Sequence, residues 1–425
     1  MLRFIHAADL HLDSPFRGLT GLPDKLRERV KASTFLALER LVALAVREQA
    51  DAVLISGDVY DLKDRSLKAQ FQFQQAMQTL AGHGIPAFLI HGNHDPLLEG
   101  HAARLDWPST VKVFGCEQVE SVVLRNRAGE EVSRISGISF GQAAVTENLS
   151  LGFRRYEDGL YHIGLLHTNV DGDAAHDNYA PCRRSELAAS GLDYWALGHI
   201  HTRAVLQERP WIVYPGNPQG RHIRETGARG CYLVEVDRAG ETRLRFEALD
   251  DVRWLESVID AGAAATEQDV KDLLEISLEG LREEAGERAV LVRLVLEGRG
   301  PVKEMLRRGG ALGELTAYLR GRCLQLQSDM WIVSVEDRTQ SPVDQERLRG
   351  EPGFLGDMLR LAEELHKDPD GLAGFAQEAL EPLLTQQTLR SLLASVNPEE
   401  LSVWLQEAEE LAVVLLQADG PGGTG

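Results

Sequence analysis

The sequence predicts an α/β fold: two stacked mixed β-sheets flanked by helices, followed by a small α+β unit and C-terminal helices. Three observations predict it. Over the first 100 residues, apolar strand-like runs alternate with amphipathic stretches of helix length, the pattern of βαβ units and a mainly parallel sheet. From about residue 110, short apolar runs follow one another, and a second, more mixed sheet stacked on the first accommodates them. After residue 250 the composition changes and the pattern restarts.

In chain order, "LRFIHAA" reads as a strand. Residues 24–49 read as a helix because Leu26, Val30, Leu38, Leu41, Val42 and Ala45 recur at helical spacing. "DAVLIS" is a second strand, and residues 66–81 are a second helix carrying Leu67, Phe71, Met77 and Leu80; "IPAFLI" is a third strand. The short strands that follow are "VKVFG", "VESVVL", "RISGISF", "YHIGLLH", "DYWALG", "WIVYPG" and "GCYLVEVD". Next, "DVKDLLEISLEGLREEAG" is an amphipathic helix, and "AVLVRLVLEG" is a strand with Val290, Val292, Leu294 and Leu296 on one face. "GELTAYLRG" is helical and "MWIVSVED" is another strand.

Beyond Pro352 the chain reads as helical. The last helix opens on "NPEE", with Asn397 as N-cap, Pro398 in the first turn and Glu400 three residues after the cap. Leu401, Leu405, Ala408, Ala412 and Leu415 form its apolar stripe. The expected organisation is a main domain over residues 1–250, an α+β unit over 251–345, a helical region over 346–418 and a disordered tail at 419–425.

Apolar content of 43% and charged content of 26% are those of a soluble globular protein. No run approaches the ~18 apolar residues of a membrane span. Cys116, Cys182, Cys231 and Cys323 lie far apart with no C-x-x-C pair, which points to a reducing, cytoplasmic setting without structural zinc or disulfides. The net charge of −20 is unevenly spread. Residues 1–250 carry 28 Lys and Arg against 32 Asp and Glu, a net of −4, and residues 251–425 carry 17 against 33, a net of −16. The acidity therefore does not by itself exclude a nucleic-acid partner for the first part.

Five short polar motifs each follow an apolar strand: "ADLH", "GDVYD", "GNHD", "HT" and "GHIH". In α/β sheets the carboxyl ends of parallel strands share one edge, where ligands bind. The residue types are those of a dinuclear metal centre: Asp9, His11, Asp58, Asn93, His167, His199 and His201. Mixed carboxylate, amide and imidazole donors suit Mn²⁺, Fe²⁺ or Zn²⁺ better than a calcium cage. Two ions bridged by a carboxylate, ~3.5–4 Å apart, can activate one water and clamp both oxygens of an in-line phosphoryl displacement. Gly57, Gly92 and Gly198 open three of the motifs, and each would let the chain turn sharply and bring a ligand close to the metals. Singly, each motif has an ordinary reading as a turn or a packed histidine. Together and in order they point to one site.

These motifs resemble the ordered signature of the calcineurin-like metallophosphoesterases: D-x-H, G-D-x-x-D, G-N-H-D/E, a lone His, then G-H-x-H. The resemblance implies the family's αββα sandwich. It implies that Asp9, His11, Asp58 and His201 hold one metal, most simply Mn²⁺. Asp58, Asn93, His167 and His199 would hold the other, with Asp58 bridging. It also implies that His94 donates a proton to the leaving oxygen and that Asp61 orients His94. "ADLHLDSPF" and "YPGNPQGRHIRETGARGCYLVEVD" further resemble the bacterial SbcD/YhaO nucleases, cousins of the meiotic-recombination nucleases. Where Asp61 stands, the archaeal and eukaryotic cousins place a histidine, whereas the bacterial branch resembles this sequence. Ser/Thr protein phosphatases continue G-D-x-x-D with Arg-Gly, unlike "GDVYDLK".

That resemblance implies a metal-dependent DNA nuclease acting in double-strand break repair. The alternative is a phosphatase or phosphodiesterase acting on nucleotides or small phosphoesters, which the same ligands would serve. Arg17, Arg221, His222 and Arg224 are candidates to contact substrate, and Arg203 and Arg229 could also position phosphates. The implied partners are DNA and an SMC-like coiled-coil ATPase of the SbcC/YhaN type; a homodimer stays open, and the hydropathy gives no membrane partner. The C-terminal helices either dock that ATPase or bury their stripes in their own bundle. His6, His91 and His162 read as packing residues, and His83, His101, His176 and His366 as loop or surface residues. Asp95 reads as a turn stabiliser.

Overall fold

In the computed structural model, which describes residues 1–61, 66–98, 106–172, 177–307, 309–326, 328–342, 345–382 and 397–418, the first sheet grows from the N-terminal βαβαβ run. Its elements are β1 (Leu2–Ala7), α1 (Asp24–Arg47), β2 (Ala52–Ser56), α2 (Leu67–Gly82), β3 (Ala87–Ile90) and β4 (Val111–Val113). The four strands pair in parallel, with Phe4 opposite Ala52 and Leu54 opposite Phe88. The antiparallel strands β11 (Gly230–Val236) and β12 (Thr242–Ala248) extend the sheet beyond β1, giving the order β12-β11-β1-β2-β3-β4.

The second sheet comprises β5 (Glu120–Arg125), β6 (Glu131–Gly137), β7 (Tyr161–His167), β8 (Tyr194–Gly198), β9 (Ala204–Glu208) and β10 (Trp211–Tyr214) in the order β5-β6-β7-β8-β10-β9. Strands β6, β7, β8 and β10 run parallel, and β5 and β9 are antiparallel edges. The period-2 alternation of each strand sorts its residues between two cores. Phe4, Leu54, Phe88, Ile163, Leu165, Tyr194 and Ala196 fill the space between the sheets. Ile5, Val53, Ile55 and Leu89 face the other way, onto Leu38, Leu41 and Phe73 of α1 and α2. Leu166, Trp195, Leu197 and Ile212 pack on Leu187 of the short helix α3 (Arg184–Ala189). Two stacked mixed sheets flanked by helices are thus present as expected.

Strands β9 and β12 carry no apolar run that the sequence pattern singles out, and the reason is their position. Both are edge strands, and Glu208, Arg243 and Arg245 stand exposed to solvent there. A third sheet has the order β13-β14-β15, from β13 (Val252–Asp260), β14 (Ala289–Glu297) and β15 (Met330–Asp337). Helices α4 (Glu267–Ala285), α5 (Val302–Leu306) and α6 (Ala311–Gln325) connect these strands. Then come α7 (Gln345–Arg349), α8 (Phe354–Lys367), α9 (Pro369–Leu380) and α10 (Pro398–Ala418). The chain divides into two compact units: residues Met1–Ser257, Leu278–Leu294 and Thr316–Val335, and residues Val258–Ser277, Val295–Leu315 and Glu336–Gly425.

At the start of α10, Asn397 and Glu400 exchange reciprocal bonds of 2.9 Å, the capping box that the sequence predicts. Its apolar stripe is only half used. Leu405, Glu409 and Val413 are buried, whereas Ala408 and Leu415 are exposed. The buried residues of α10 recur every four positions, and their partners set the face: Leu405 meets Ala362 and Leu372, and Val413 meets Leu348 and Leu359. Between them, Glu409 Oε1 lies 2.9 Å from His366 Nε2, so His366, an exposed surface residue as expected, sits in the last turn of α8 and not in a loop, and ties that helix to α10. The residues expected to be a disordered tail, 419–425, lie outside the described residues, as do His101 and His176. Among the described residues no helix is long and apolar enough to cross a membrane.

One ion-pair network fixes α1 to the entry of β13. Asp251, 2% exposed, accepts Arg29 Nε at 2.8 Å and Arg40 Nη2 at 2.6 Å. Burial pushes this carboxyl up, but the bonds and charges of Arg29 and Arg40 outweigh it and hold it below its ordinary value. A depressed carboxyl contributes stability above its unfolded value, and that contribution disappears as pH falls through the folded value. Asp251→Asn should therefore cost about 2 kcal/mol at pH 7, with the gap to wild type closing below about pH 4. Urea midpoints at pH 7 and pH 3.5 check this, and an equal gap at both would overturn it.

Candidate metal centre

The loops leaving β1, β2, β3, β7 and β8 meet where the carboxyl ends of the two sheets come together. The loops after β1 and β2 run side by side, with Asp9 N–H donating to Gly57 O at 3.1 Å and His11 N–H to Asp58 O at 3.0 Å. Asp9, His11, Asp58 and His199 adopt φ of 55°, 42°, 52° and 99°. Each such non-glycine residue costs on the order of 1 kcal/mol. Four of them at one place mean that the surroundings impose the conformation.

The three glycines before the motifs act differently from one another. Gly57 has φ 95°, the turn expected of it. Gly92 and Gly198 do not need positive φ; they need the absence of a Cβ. At Gly92 a Cβ would sit 2.3 Å from Asp58 Oδ1, and at Gly198 it would sit 1.9 Å from Ser56 O. They allow the strand ends to approach closely enough for the side chains to share one space.

All seven expected ligands converge there. Asp9, His11 and His201 form one group of donors, and Asp9, Asp58 and His167 form another. Asp58 Oδ2 lies 3.8 Å from His11 Nε2 and 3.4 Å from His167 Nε2, between the two sets. Asn93 Oδ1 lies 3.0 Å from His167 Nε2 and 3.1 Å from His199 Nδ1.

The imidazole partners test whether these groups fit cations. His11 Nδ1 faces Asp61 Oδ1 at 2.9 Å, and His201 Nδ1 faces Glu225 Oε1 at 2.6 Å. Those acceptors place the ring protons on Nδ1. The two Nε2 atoms, 3.1 Å apart, then turn lone pairs toward each other. Burial, with Arg221 adding to it, pushes His11 down to about 3, which keeps that ring neutral. His199 Nε2 likewise donates to Asp177 O at 2.8 Å, leaving Nδ1 toward the Asn93 oxygen. His167 Nδ1 donates to Ser56 O at 2.9 Å, so its Nε2 has acceptors on two sides. Burial also pushes Asp9 up to about 6. Acceptor facing acceptor, among buried carboxylates, is a donor set that fits divalent cations.

Asp61 is the hub of the outer side. Its Oδ1 accepts from His94 Nδ1 at 2.7 Å as well as from His11. Its Oδ2 accepts from Arg221 Nη1 at 3.1 Å and from the Ser14 hydroxyl. His94, with 46% of its side chain exposed, stands at the mouth. Burial lowers its affinity for a proton, but the Asp61 bond and the charges of Asp58 and Asp61 raise it more, and its pKa lies above the ordinary value. The His94 backbone N–H donates to Asp58 Oδ1 at 2.9 Å. Asp95 holds the turn as expected, through Gly92 N–H at 2.8 Å, and also reaches Val59 N–H on the neighbouring loop at 2.9 Å.

The candidate substrate-contacting residues separate. Arg221 is in the site, beside Asp61. Arg17 and Arg224 are exposed, and His222 Nε2 lies 3.4 Å from Glu225 Oε1. Arg203 lies 4.0 Å over the Phe246 ring. Arg229 is turned inward, donating to the carbonyls of His201, Glu225 and Thr226, so it shapes the loop and does not meet phosphate. Sequence reasoning missed Glu225, Ser14 and the Asp177 carbonyl. Glu225 lies 24 residues beyond the histidine it holds, with no local spacing to mark it.

Residues 2–203 match the family model described as calcineurin-like phosphoesterase, and residues 254–340 match that of the metallophosphoesterase YhaO middle domain. The chain is 38% identical over 356 residues to the uncharacterized metallophosphoesterase YhaO of Bacillus subtilis, spanning 84% of this chain and 86% of that protein. It is 27% identical to the DNA double-strand break repair protein Mre11 of Aeropyrum pernix, over 57% of this chain and 59% of that protein. It is 22% identical to the SbcD component of the SbcCD nuclease of Bacillus subtilis, over 61% and 70% respectively.

Proposed function

The chain belongs to the calcineurin-like metallophosphoesterases, and from that premise we propose that it is a Mn²⁺-dependent DNA nuclease that works in double-strand break repair with an SMC-like coiled-coil ATPase. The observation that carries the chemistry is the Asp61–His94 pair, 2.7 Å apart, beside a set of donors arranged for two cations. Asp9, His11, Asp58 and His201 would hold one ion, and Asp58, Asn93, His167 and His199 the other. When bound, such ions supply Lewis acidity and an activated water for in-line displacement at phosphorus.

The protein's own residues do the rest. Glu225 and Asp61 fix the tautomers of His201 and His11, and the carbonyls of Ser56 and Asp177 fix His167 and His199. His94, held by Asp61 through Nδ1, keeps Nε2 for the departing sugar oxygen, to which it gives a proton. The choice of DNA is supported by the relatives named as a double-strand break repair protein and a nuclease component. The near-neutral charge of residues 1–250 favours only modest intrinsic DNA affinity, so a partner that grips DNA completes the reading, in the cytoplasm.

Purified protein with Mn²⁺ should degrade linear duplex DNA, faster with the ATPase present, and chelator should stop it. Intact DNA alongside brisk hydrolysis of nucleotides or bis(p-nitrophenyl) phosphate would replace this reading with that of a small-phosphoester hydrolase.

A further inference from the structure

The segment Gly220–Glu225 joins the two sides of the site through a single chain of bonds. Glu225 Oε1 takes His201 Nδ1, and its Oε2 takes the Arg221 backbone N–H at 2.6 Å. The Arg221 guanidinium then reaches across to Asp61, which holds His94 and His11. The segment is firmly placed: Trp254 Nε1 donates to Gly220 O at 3.1 Å, and Arg17 N–H donates to Arg221 O at 3.2 Å.

Two features of Arg221 call for a physical reason. First, a phosphoester that approaches His94 must come close to the negative Asp61, and like charges repel. The guanidinium on Asp61 Oδ2 removes that obstacle. Second, Arg221 Nε is buried and has no hydrogen-bond partner among the described residues. A buried N–H left unpaired is costly, and it persists most readily where a ligand supplies the acceptor. Guanidinium, with several donors in one plane, can serve a carboxylate with one edge and a phosphate with another.

We propose that Arg221 admits the phosphate to the site: Nη1 neutralises Asp61, and Nε–H is held to bond a non-bridging oxygen of the substrate's phosphoryl group. This rests on the phosphodiester reading above, but it concerns the phosphate alone and holds whether the rest of the substrate is DNA or a smaller ester.

The test uses full-length chain loaded with Mn²⁺, with inorganic phosphate as the probe, its Kd measured by calorimetry and metal content by elemental analysis. Arg221→Gln should weaken phosphate binding by at least about tenfold with metal content unchanged. The double variant Asp61→Asn/Arg221→Gln should recover much of that loss, because the uncompensated carboxylate is gone; a merely structural arginine would show no such recovery. Arg221→Lys keeps the charge without the fork and should fall between, and it decides the matter if the Gln variant does not fold. Phosphate binding within twofold of wild type in either single variant would overturn the proposal. So would loss of metal in Arg221→Gln, which would make the residue a support for the His201 loop. Because the readout is phosphate binding, failure of the DNA reading in the nuclease assay leaves this result separately legible.

Discussion

Replacing His94 with alanine should lower phosphodiester turnover by roughly 10²–10⁴-fold while leaving metal content unchanged. The alanine variant keeps the backbone N–H that donates to Asp58 Oδ1 at 2.9 Å, so the carboxylate between the two donor sets stays placed. What disappears is the imidazole held at 2.7 Å by Asp61. The loss should depend on the leaving group. An alkoxide needs a proton as it departs, whereas p-nitrophenolate does not, so bis(p-nitrophenyl) phosphate should lose far less than DNA. The pH dependence has a definite sign: because Asp61 and Asp58 outweigh burial and raise His94, the acid form persists upward in pH. The alkaline fall in rate should belong to this ring and be missing from the variant. Equal losses on both substrates, or a fall in bound metal, would assign His94 another role.

The parts of this site that were legible in the sequence are those written locally. Asp9 and His11, Asp58 and Asp61, Asn93 and His94, and His199 and His201 each lie within a few residues of a strand end, and parallel strands bring such ends to one edge. Glu225 and Ser14 were not legible, because each meets its partner only through the fold and neither stands at a spacing that periodicity marks. Arginine is ambiguous for a similar reason: Arg221 and Arg229 lie eight residues apart in one segment. The first faces Asp61, and the second caps carbonyls in the interior. In α10, apolarity alone marks the stripe, but the buried face is chosen by α8 and α9 and includes the charged Glu409, held by His366. Strands β9 and β12 are not legible because polar and charged residues take up much of each, as an edge position permits.

The second large effect follows from a glycine with an ordinary backbone conformation. Gly198→Ala should destabilise the protein by about 3 kcal/mol, the upper end for overpacking, and weaken metal binding by at least about 10–100-fold. The added Cβ would lie 1.9 Å from Ser56 O and 2.9 Å from His167 Nδ1. Ser56 is the last residue of β2, and its carbonyl is the acceptor that fixes the His167 ring. Neither neighbour is the free end of a flexible chain, so β2 and β8 must separate. Separation moves Asp58, two residues after Ser56, away from His199, the residue after Gly198. One methyl group thus acts on both donor sets, and the damage should appear in metal content as well as in the urea midpoint. Gly82→Ala is the matched control: it lies at the end of α2 with nothing near its Cβ position and should leave both measurements essentially unchanged. If Gly198→Ala bound metal as wild type does, the sheets would have to yield at this point, and the close approach of β2 and β8 would not be what positions the ligands.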